Sequence, residues 1–300
     1  MCMVTEAAGL IRSLSRADRL RMGSVGLAIA NRHYMIQRHS AETRQTPFGD
    51  AKVGKADVAR WGRAEQLLGL PQRARVLDLG CAFGFGTKLL ARRYQTFGHD
   101  LSASYIERAR RNVPDATFTL GPADAVPYPD ASFDGVVLLD VMEHVPDDRA
   151  VVDEIARLLR PGGRLVLSVP NRGLMARLDS LNVYERLARP GWLPPTDDPS
   201  WDTVREHRHY SLDQIRRLFD NRFHIRDARW SGIGIAEPVN LALLLALRGI
   251  ARLPRVYDIA QYLYFGVYLL EDLVPLPRLG YHLMIVADRV TPPTGAGNPG

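Results

Sequence analysis

From residue 75 onward, short continuously apolar runs alternate with longer segments whose apolar residues recur at helical spacing. RVLDL (75–79), TFGHD (96–100), TFTL (117–120), GVVLLD (135–140) and RLVLSV (164–169) read as strands. Helices are predicted over about 84–93, 103–112 and 147–159, and Pro161 with the glycines of RPGG predicts the end of the last one. Strands that are apolar on both faces and alternate with helices predict a parallel sheet covered on both sides. Ahead of this region, RMGSVGLAIANRHYMI and ADVARWGRAEQLLGL carry helical periodicity around a loop at 46–54. Behind it, the alternation loosens after Asn171. A segment rich in Arg, Pro and Trp (171–209) precedes a helix SLDQIRRLF (211–219), a strand HIRDARW (224–230), two apolar stretches and a closing strand HLMIVADR (282–289).

The expected fold is therefore α/β: a doubly wound, mostly parallel seven-stranded sheet with N-terminal helices and a late lid or insertion. Residues 1–70 form a helical extension, 71–170 a ligand-binding core and 171–290 a lid region with the closing strands; 291–300 (TPPTGAGNPG) reads as a disordered tail. No internal repeat is present. The stretch VNLALLLALRGI (239–250) is too short to span a membrane and is broken by Arg248, and the apolar residues of 256–274 are interrupted by acids. For 239–274, three readings stay open: a substrate lid, a homodimer interface or a peripheral membrane contact. The first residues lack the long apolar core of a secretory signal, so the expected location is cytoplasmic.

Composition adds little to this picture. The hydrophobic fraction of 46% and charged fraction of 24% are those of an ordinary globular chain. The net charge of +6 is spread along the sequence without a basic block, which argues against nucleic acid as a partner. Cys2 and Cys81 permit at most one bridge, so a reducing compartment is expected.

Chemistry concentrates in VLDLGCAFGFG (76–86). In a doubly wound sheet the first strand-to-helix turn lies where ligands bind, and Gly80, Gly84 and Gly86 let the backbone turn and approach one closely. Asp100, twenty residues after Gly80 and at the end of the second strand, can accept from both ribose hydroxyls of an adenosine. The turn fits GxGxxG poorly, and Asp78 would repel a pyrophosphate. A cofactor with a cationic centre and a free amino group, such as S-adenosylmethionine, suits that acid.

VLDLGCAFGFGT, Asp100, GPADAVPYPDASFDGVVLLDVMEHV and RLLRPGGRLVLSVPN together resemble the class I S-adenosylmethionine-dependent methyltransferases, most closely the ubiquinone and menaquinone branch. The resemblance covers about residues 60–170, and EHRHYSLDQIRRLF extends it more loosely. It implies that Gly80, Ala82 and Gly84 form the loop under the methionine and ribose portions, with Asp78 near the amino end. Asp100 would hold the ribose, Leu101 pack on the adenine, and Asp124 with the Ala125 backbone meet the adenine amino group. Leu139 would line the methionine pocket, and Arg60 would meet the cofactor carboxylate. Ala82 departs from the glycine usual in the family; Cys81 is a packing residue.

Methyl transfer from a sulfonium asks the protein for alignment and, where the acceptor needs it, proton removal. DVMEHV and EHRHY place His144, His207 and His209 as catalytic candidates. A helix cap stands as the alternative for His144, and a solvated loop or lid anchor for His207 and His209. Trp192 and Trp201 are assigned to a hydrophobic lid. Asp140, Glu143 and His144 also reproduce an acid-x-x-Glu-His spacing that, by resemblance to quinone-precursor O-methyltransferases, implies a divalent-cation site. The metal-free alternative, with His144 as base, is retained and no metal is assigned. The expected acceptor is a hydrophobic small molecule methylated on oxygen: quinone-like, lipid-like, glycolipid-like or a natural product. The competing classes are a non-catalytic S-adenosylmethionine-binding protein and an RNA methyltransferase.

Overall fold

In a computed structural model of the chain, the residues described are 60–173, 176–177, 179–188, 190–191, 193, 207–253, 255–257, 259–260, 267, 270–271 and 280–291. The expectations for residues 1–59, for Trp192 and Trp201 and for the tail from residue 292 lie outside them.

The strands are β1 (Arg75–Leu79), β2 (Gln95–Asp100), β3 (Thr117–Leu120), β4 (Phe133–Leu139), β5 (Leu159–Pro170), β6 (Phe223–Ser231) and β7 (His282–Arg289). They form one seven-stranded sheet in the order β3-β2-β1-β4-β5-β7-β6. β1 to β5 run parallel to their neighbours, and β7 is antiparallel to both β5 and β6. The order reverses beside β1, so the carboxyl ends of β1 and β4 open a crevice at one edge of the sheet.

Alternation along the central strands supplies two faces. Leu77, Leu79, Val136, Leu138, Leu165 and Leu167 point to one side. There they meet α4 (Asp148–Leu158) and α6 (Leu212–Phe219) through Ile155 and Ile215. Val76, Val137 and Val166 point to the other, against Trp61 and Leu68 of helical residues 60–68 (α1) and Leu90 of α2 (Phe85–Leu90). Each fully buried side chain of this kind contributes about 1.5–3 kcal/mol. α3 (Ala103–Asn112) covers the loop side of β2 and β3 through Ile106 and Ala109. The starts of α3, α4 and α6 are capped by Ser102, Asp147 and Ser211, the last with a reciprocal Gln214.

Three elements differ from the sequence expectation. α4 ends at Leu158, and the RPGG residues belong to the start of β5, where a register shift against β4 absorbs them. The loosened segment after Asn171 contains a helix, α5 (Ser180–Ala188). The apolar stretch begun at residue 239 lies within α7 (Ala236–Leu243), which widens into π-type turns over Leu244–Ile250. α5 and α7 pack through Tyr184, Ala188 and Leu244, joined by Tyr257.

Candidate active site

β1 delivers Asp78 and Gly80 to the crevice. The Gly80 and Cys81 amides donate to the His99 carbonyl at 2.7 and 3.1 Å, fastening the glycine loop to β2. Gly80 and Gly84 take φ values of 83° and 84°, where a side chain is disfavoured. Ala82 also sits at positive φ, 44°, and is held there because its amide donates to Asp100 Oδ2 at 2.8 Å. Ser102 N donates to Asp100 Oδ1, also at 2.8 Å. Each carboxylate oxygen thus takes a backbone amide, and the two together orient the group.

Asp78 is buried and accepts from the Thr87 hydroxyl at 2.6 Å, bracing the start of α2. Burial raises its carboxyl to about 7, more than the Thr87 hydrogen bond lowers it. A cationic group near this loop would stabilise the ionised form, whereas a phosphate would oppose it. Behind the loop, His99 Nε2 lies 3.1 Å from the Pro122 carbonyl, which can only accept, so the ring proton is on Nε2. Nδ1 then accepts from Thr119 at 2.8 Å. This neutral histidine, its pKa lowered by burial, fixes the loop that carries Asp124 and Ala125. Leu101 and Leu139 are half-buried at the ends of β2 and β4. Asp78 and Asp100 thus set two acceptor carboxylates beside the glycine loop.

A second polar cluster lies beyond β4 and β5. After Leu139 the chain turns at Asp140 (φ 53°) into a short 3-10 segment, Met142–His144. Val141 packs on the glycine loop, since a Cβ at Gly80 would come within 2.3 Å of it. Segment 207–210 is tied to the same turn: Arg208 donates to the carbonyls of Met142, at 2.9 Å, and Val145, and the Tyr210 hydroxyl donates to Met142 O at 3.1 Å. Tyr210 also bridges beside Asn171 at the end of β5. These ties bring His207 Nε2 to 3.8 Å from Glu143 Oε1, and its ring centre to 5.0 Å from that of His144.

Asp179, just before α5, anchors the other side of His207. Its Oδ2 lies 2.6 Å from His207 Nδ1, 3.2 Å from the donating Tyr281 hydroxyl and 3.4 Å from His209 Nε2. Oδ1 accepts from Asn182 N at 2.8 Å, and Asn182 exchanges two further hydrogen bonds with the His207 backbone. Burial opposes a charge on His207, but the Asp179 hydrogen bond and the charges of Asp179 and Glu143 outweigh it and raise the imidazole to about 9. Glu143 is fully buried, and neither of its oxygens has a hydrogen-bond partner among the described residues. Burial, reinforced by the nearby Asp140, pushes its carboxyl up to about 8.

Residues 77–167 match the family model described as a methyltransferase domain. Over these residues the chain is similar to methyltransferase domains. Among curated relatives, a probable chloroplastic tocopherol O-methyltransferase of Oryza sativa subsp. japonica is 34% identical over 155 residues, 47% of this chain and 42% of that protein. A ubiquinone biosynthesis O-methyltransferase of Xylella fastidiosa is 38% identical, over 34% of this chain and 44% of its own length. The 27-O-demethylrifamycin SV methyltransferase of Amycolatopsis mediterranei is 41% identical, over 40% and 48%. The chain thus spans less than half the length of these relatives. Two solved structures share the fold at low identity. Geranyl diphosphate methyltransferase, in complex with GPP and sinefungin, aligns with a TM-score of 0.51 and 18% identity over 78% of this chain and 77% of its own. The [4+2]-cyclase SpnF aligns with a TM-score of 0.52 and 19% identity over 78% and 82%.

Within the matched residues, Gly80, Ala82, Gly84 and Asp100 converge on one loop. Arg60 is buried and forms an ion pair with Asp140, whose Oδ1 accepts from Ser168 at 2.9 Å. The group that could hold a cation joins Glu143 and His144 to His207 within 4.8 Å and does not include Asp140. A second group of this kind comprises Asp179, His207 and His209. The cap of α4 is Asp147, accepting from Ala150 N at 3.0 Å, and not His144. Asp179, Asn182 and Tyr281 had no place in the sequence reading. Asp179 carries the signal of a polar residue opening a helix, which indicates a cap and nothing about its histidine partners.

Proposed function

We propose that the chain is an S-adenosylmethionine-dependent methyltransferase acting on an oxygen of a hydrophobic small molecule. The observation that carries this reading is the shared 141–144 turn. Val141 rests on the glycine loop, and two residues later Glu143 faces His207. A ligand site and a proton-handling site are thereby joined through one short, buried segment. Asp100 would hold the ribose, with Leu101, Asp124 and Ala125 around the adenine, while Gly80, Ala82, Gly84 and Leu139 enclose the methionine portion. Asp78 and Arg60 act through the loop and through Asp140. Bound there, S-adenosylmethionine would supply an activated methyl group. His207, held by Asp179 through Nδ1, presents Nε2 to take the acceptor proton, and His144 and His209 flank its ring.

The named relatives act on tocopherol, ubiquinone-pathway and rifamycin compounds, which supports an apolar acceptor. Asp179, His207, His209 and Tyr281 all lie outside the matched residues 77–167, as expected of the half that meets a particular acceptor. The test compares metabolites of a deletion strain and its parent. A compound lighter by one methyl group in the deletion, converted by the purified protein, is the expected result. Cofactor binding without transfer to any such compound would favour the non-catalytic alternative.

A second reading is favoured by Glu143, whose buried carboxylate, without a hydrogen-bond partner among the described residues and beside His144 and His207, fits a divalent cation. Asp179 would then orient His207 from behind, as carboxylates do for ligating histidines. A cation there would lower the pKa of an acceptor hydroxyl.

A further inference from the structure

The loop after β1 contains a turn closed by Gly84 N, which donates to Cys81 O at 2.9 Å. Its two central residues are Ala82 and Phe83. Ala82 takes φ 44° and carries a Cβ, so the turn holds a conformation that glycine adopts freely and alanine does not. One tether on this turn is the Ala82 amide, which donates to Asp100 Oδ2 at 2.8 Å. The others come from α3.

Tyr105, Arg108 and Asn112 follow one another in α3 at helical spacing, which sets them along one face. All three meet Phe83. The Tyr105 ring stands edge-on to the Phe83 ring, with centres 6.1 Å apart, and the Arg108 guanidinium carbon lies 5.1 Å from the centre of the same ring. Asn112 Nδ2 donates to the Phe83 carbonyl at 2.9 Å. The next residue, Gly84, approaches α3 so closely that a Cβ there would come within 3.2 Å of Ala109 and 3.3 Å of Val113. Asn112 itself is exposed, at the last position of α3. An exposed polar side chain loses rotamer freedom when it ties a distant carbonyl, so the tie needs a return. Here it falls on the residue beside the strained one. The Ala82 amide and the Phe83 carbonyl are thereby held from opposite sides, and opening the turn would take the amide away from Asp100.

We infer that Asn112 is a positioning residue for the cofactor loop: by holding the Phe83 carbonyl from outside, it keeps Ala82 in the conformation whose amide orients Asp100. The inference rests on the reading of this loop as an S-adenosylmethionine site. Asn112 touches no reacting atom and acts only through the turn. Its importance comes from the alanine. A glycine at position 82 would occupy the same φ without restraint, and the turn would stay closed with one tether fewer.

The test uses the full chain, Asn112→Ala, and Asn112→Ala combined with Ala82→Gly. Two quantities are measured: affinity for S-adenosylhomocysteine by calorimetry, and hydrogen exchange of the loop around residue 82 without ligand. Asn112→Ala is expected to weaken affinity about fivefold and to quicken loop exchange about fivefold, the worth of one net hydrogen bond. Adding Ala82→Gly should bring affinity back to within about twofold of the parent. Thermal midpoints of the parent and Asn112→Ala should agree, because the substituted side chain is exposed. Unchanged affinity in Asn112→Ala overturns the inference, as does a loss that Ala82→Gly fails to restore. A lowered midpoint overturns it too, since the effect would then be global. A parent that binds no S-adenosylhomocysteine rejects the cofactor reading instead. Loop exchange needs no ligand, and in that case it still decides whether Asn112 holds the turn.

Discussion

His207 Nδ1 lies 2.6 Å from Asp179 Oδ2, while the opposite ring nitrogen, Nε2, faces Glu143 at 3.8 Å. A carboxylate on the Nδ1 side fixes the ring's tautomer and orientation and leaves Nε2 as the nitrogen that can exchange a proton with an acceptor. The pair is supplied by two segments 28 residues apart, and Tyr281 reaches the same carboxylate oxygen from 102 residues away.

The first prediction follows from the charge on this ring. With its pKa raised to about 9, His207 is protonated at neutral pH and must lose that proton before it can act as a base. The rate of methyl transfer is expected to rise with pH toward about 9. Asp179→Asn removes the charge that holds the proton, so the rising limb should move toward the ordinary histidine value of 6.5, with a lower plateau. His207→Ala should cost about a hundredfold or more in kcat. A pH–rate profile whose rising limb is the same in both Asp179 forms would remove His207 from this role.

How much of this was legible in the sequence depends on the range of the interaction. β1, β3 and β7 were readable to the residue because apolar runs and their breakers are local signals. The glycine loop and Asp100 were readable because they follow consecutive strands at the switch point of the sheet. Asp179 was not, because its role is conferred by His207 and Tyr281, which only the folded chain brings to it. Asp140 shows the opposite case. Its spacing to Glu143 and His144 is a local signal, while its partners Arg60 and Ser168 come from distant segments that only the fold brings to it.

The second prediction concerns Asp100. Its carboxylate is oriented by the amides of Ala82 and Ser102, and a ribose would add two hydroxyl donors to a charged acceptor. Asp100→Asn keeps an oxygen for one amide and loses the charge. Affinity for S-adenosylhomocysteine is expected to fall by about 1.5–3 kcal/mol, roughly ten- to a hundredfold. Unchanged affinity by calorimetric titration would refute the assignment of the loop.

A third prediction tests the loop's strain. Ala82 occupies φ 44°, where a Cβ costs about 1–2 kcal/mol. Ala82→Gly relieves this, offset by about 0.5–1 kcal/mol of extra freedom in the unfolded chain. Urea unfolding should show stability unchanged or raised by up to about 1 kcal/mol, with cofactor affinity equal or better. A clear loss of either would mean that the alanine methyl is itself a contact.

The last prediction separates the two readings of Glu143. Without a cation, burial holds this carboxyl protonated at neutral pH, its pKa raised from 4.5 to about 8. The folded state then binds the proton more tightly than the unfolded chain. The group's contribution to stability is therefore fully present below about 4.5 and is lost as pH rises through about 8. Glutamine is a neutral isostere of the protonated acid. Glu143→Gln should retain methyl transfer near neutral pH, and it should be more stable than the parent at pH 9 but not at pH 5, when thermal midpoints are compared. Activity should also survive exhaustive chelation. The cation reading requires the reverse, because Glu143 would then be an ionised ligand beside His144 and His207. Loss of activity both in Glu143→Gln and on chelation, with recovery of the chelated parent alone when magnesium, manganese or zinc is returned, would replace the metal-free base with a cation at this turn. Asp140→Asn is the control within the same segment. Its carboxylate serves Arg60 and Ser168, so its substitution should weaken the fold around Arg60 without changing the response to chelation.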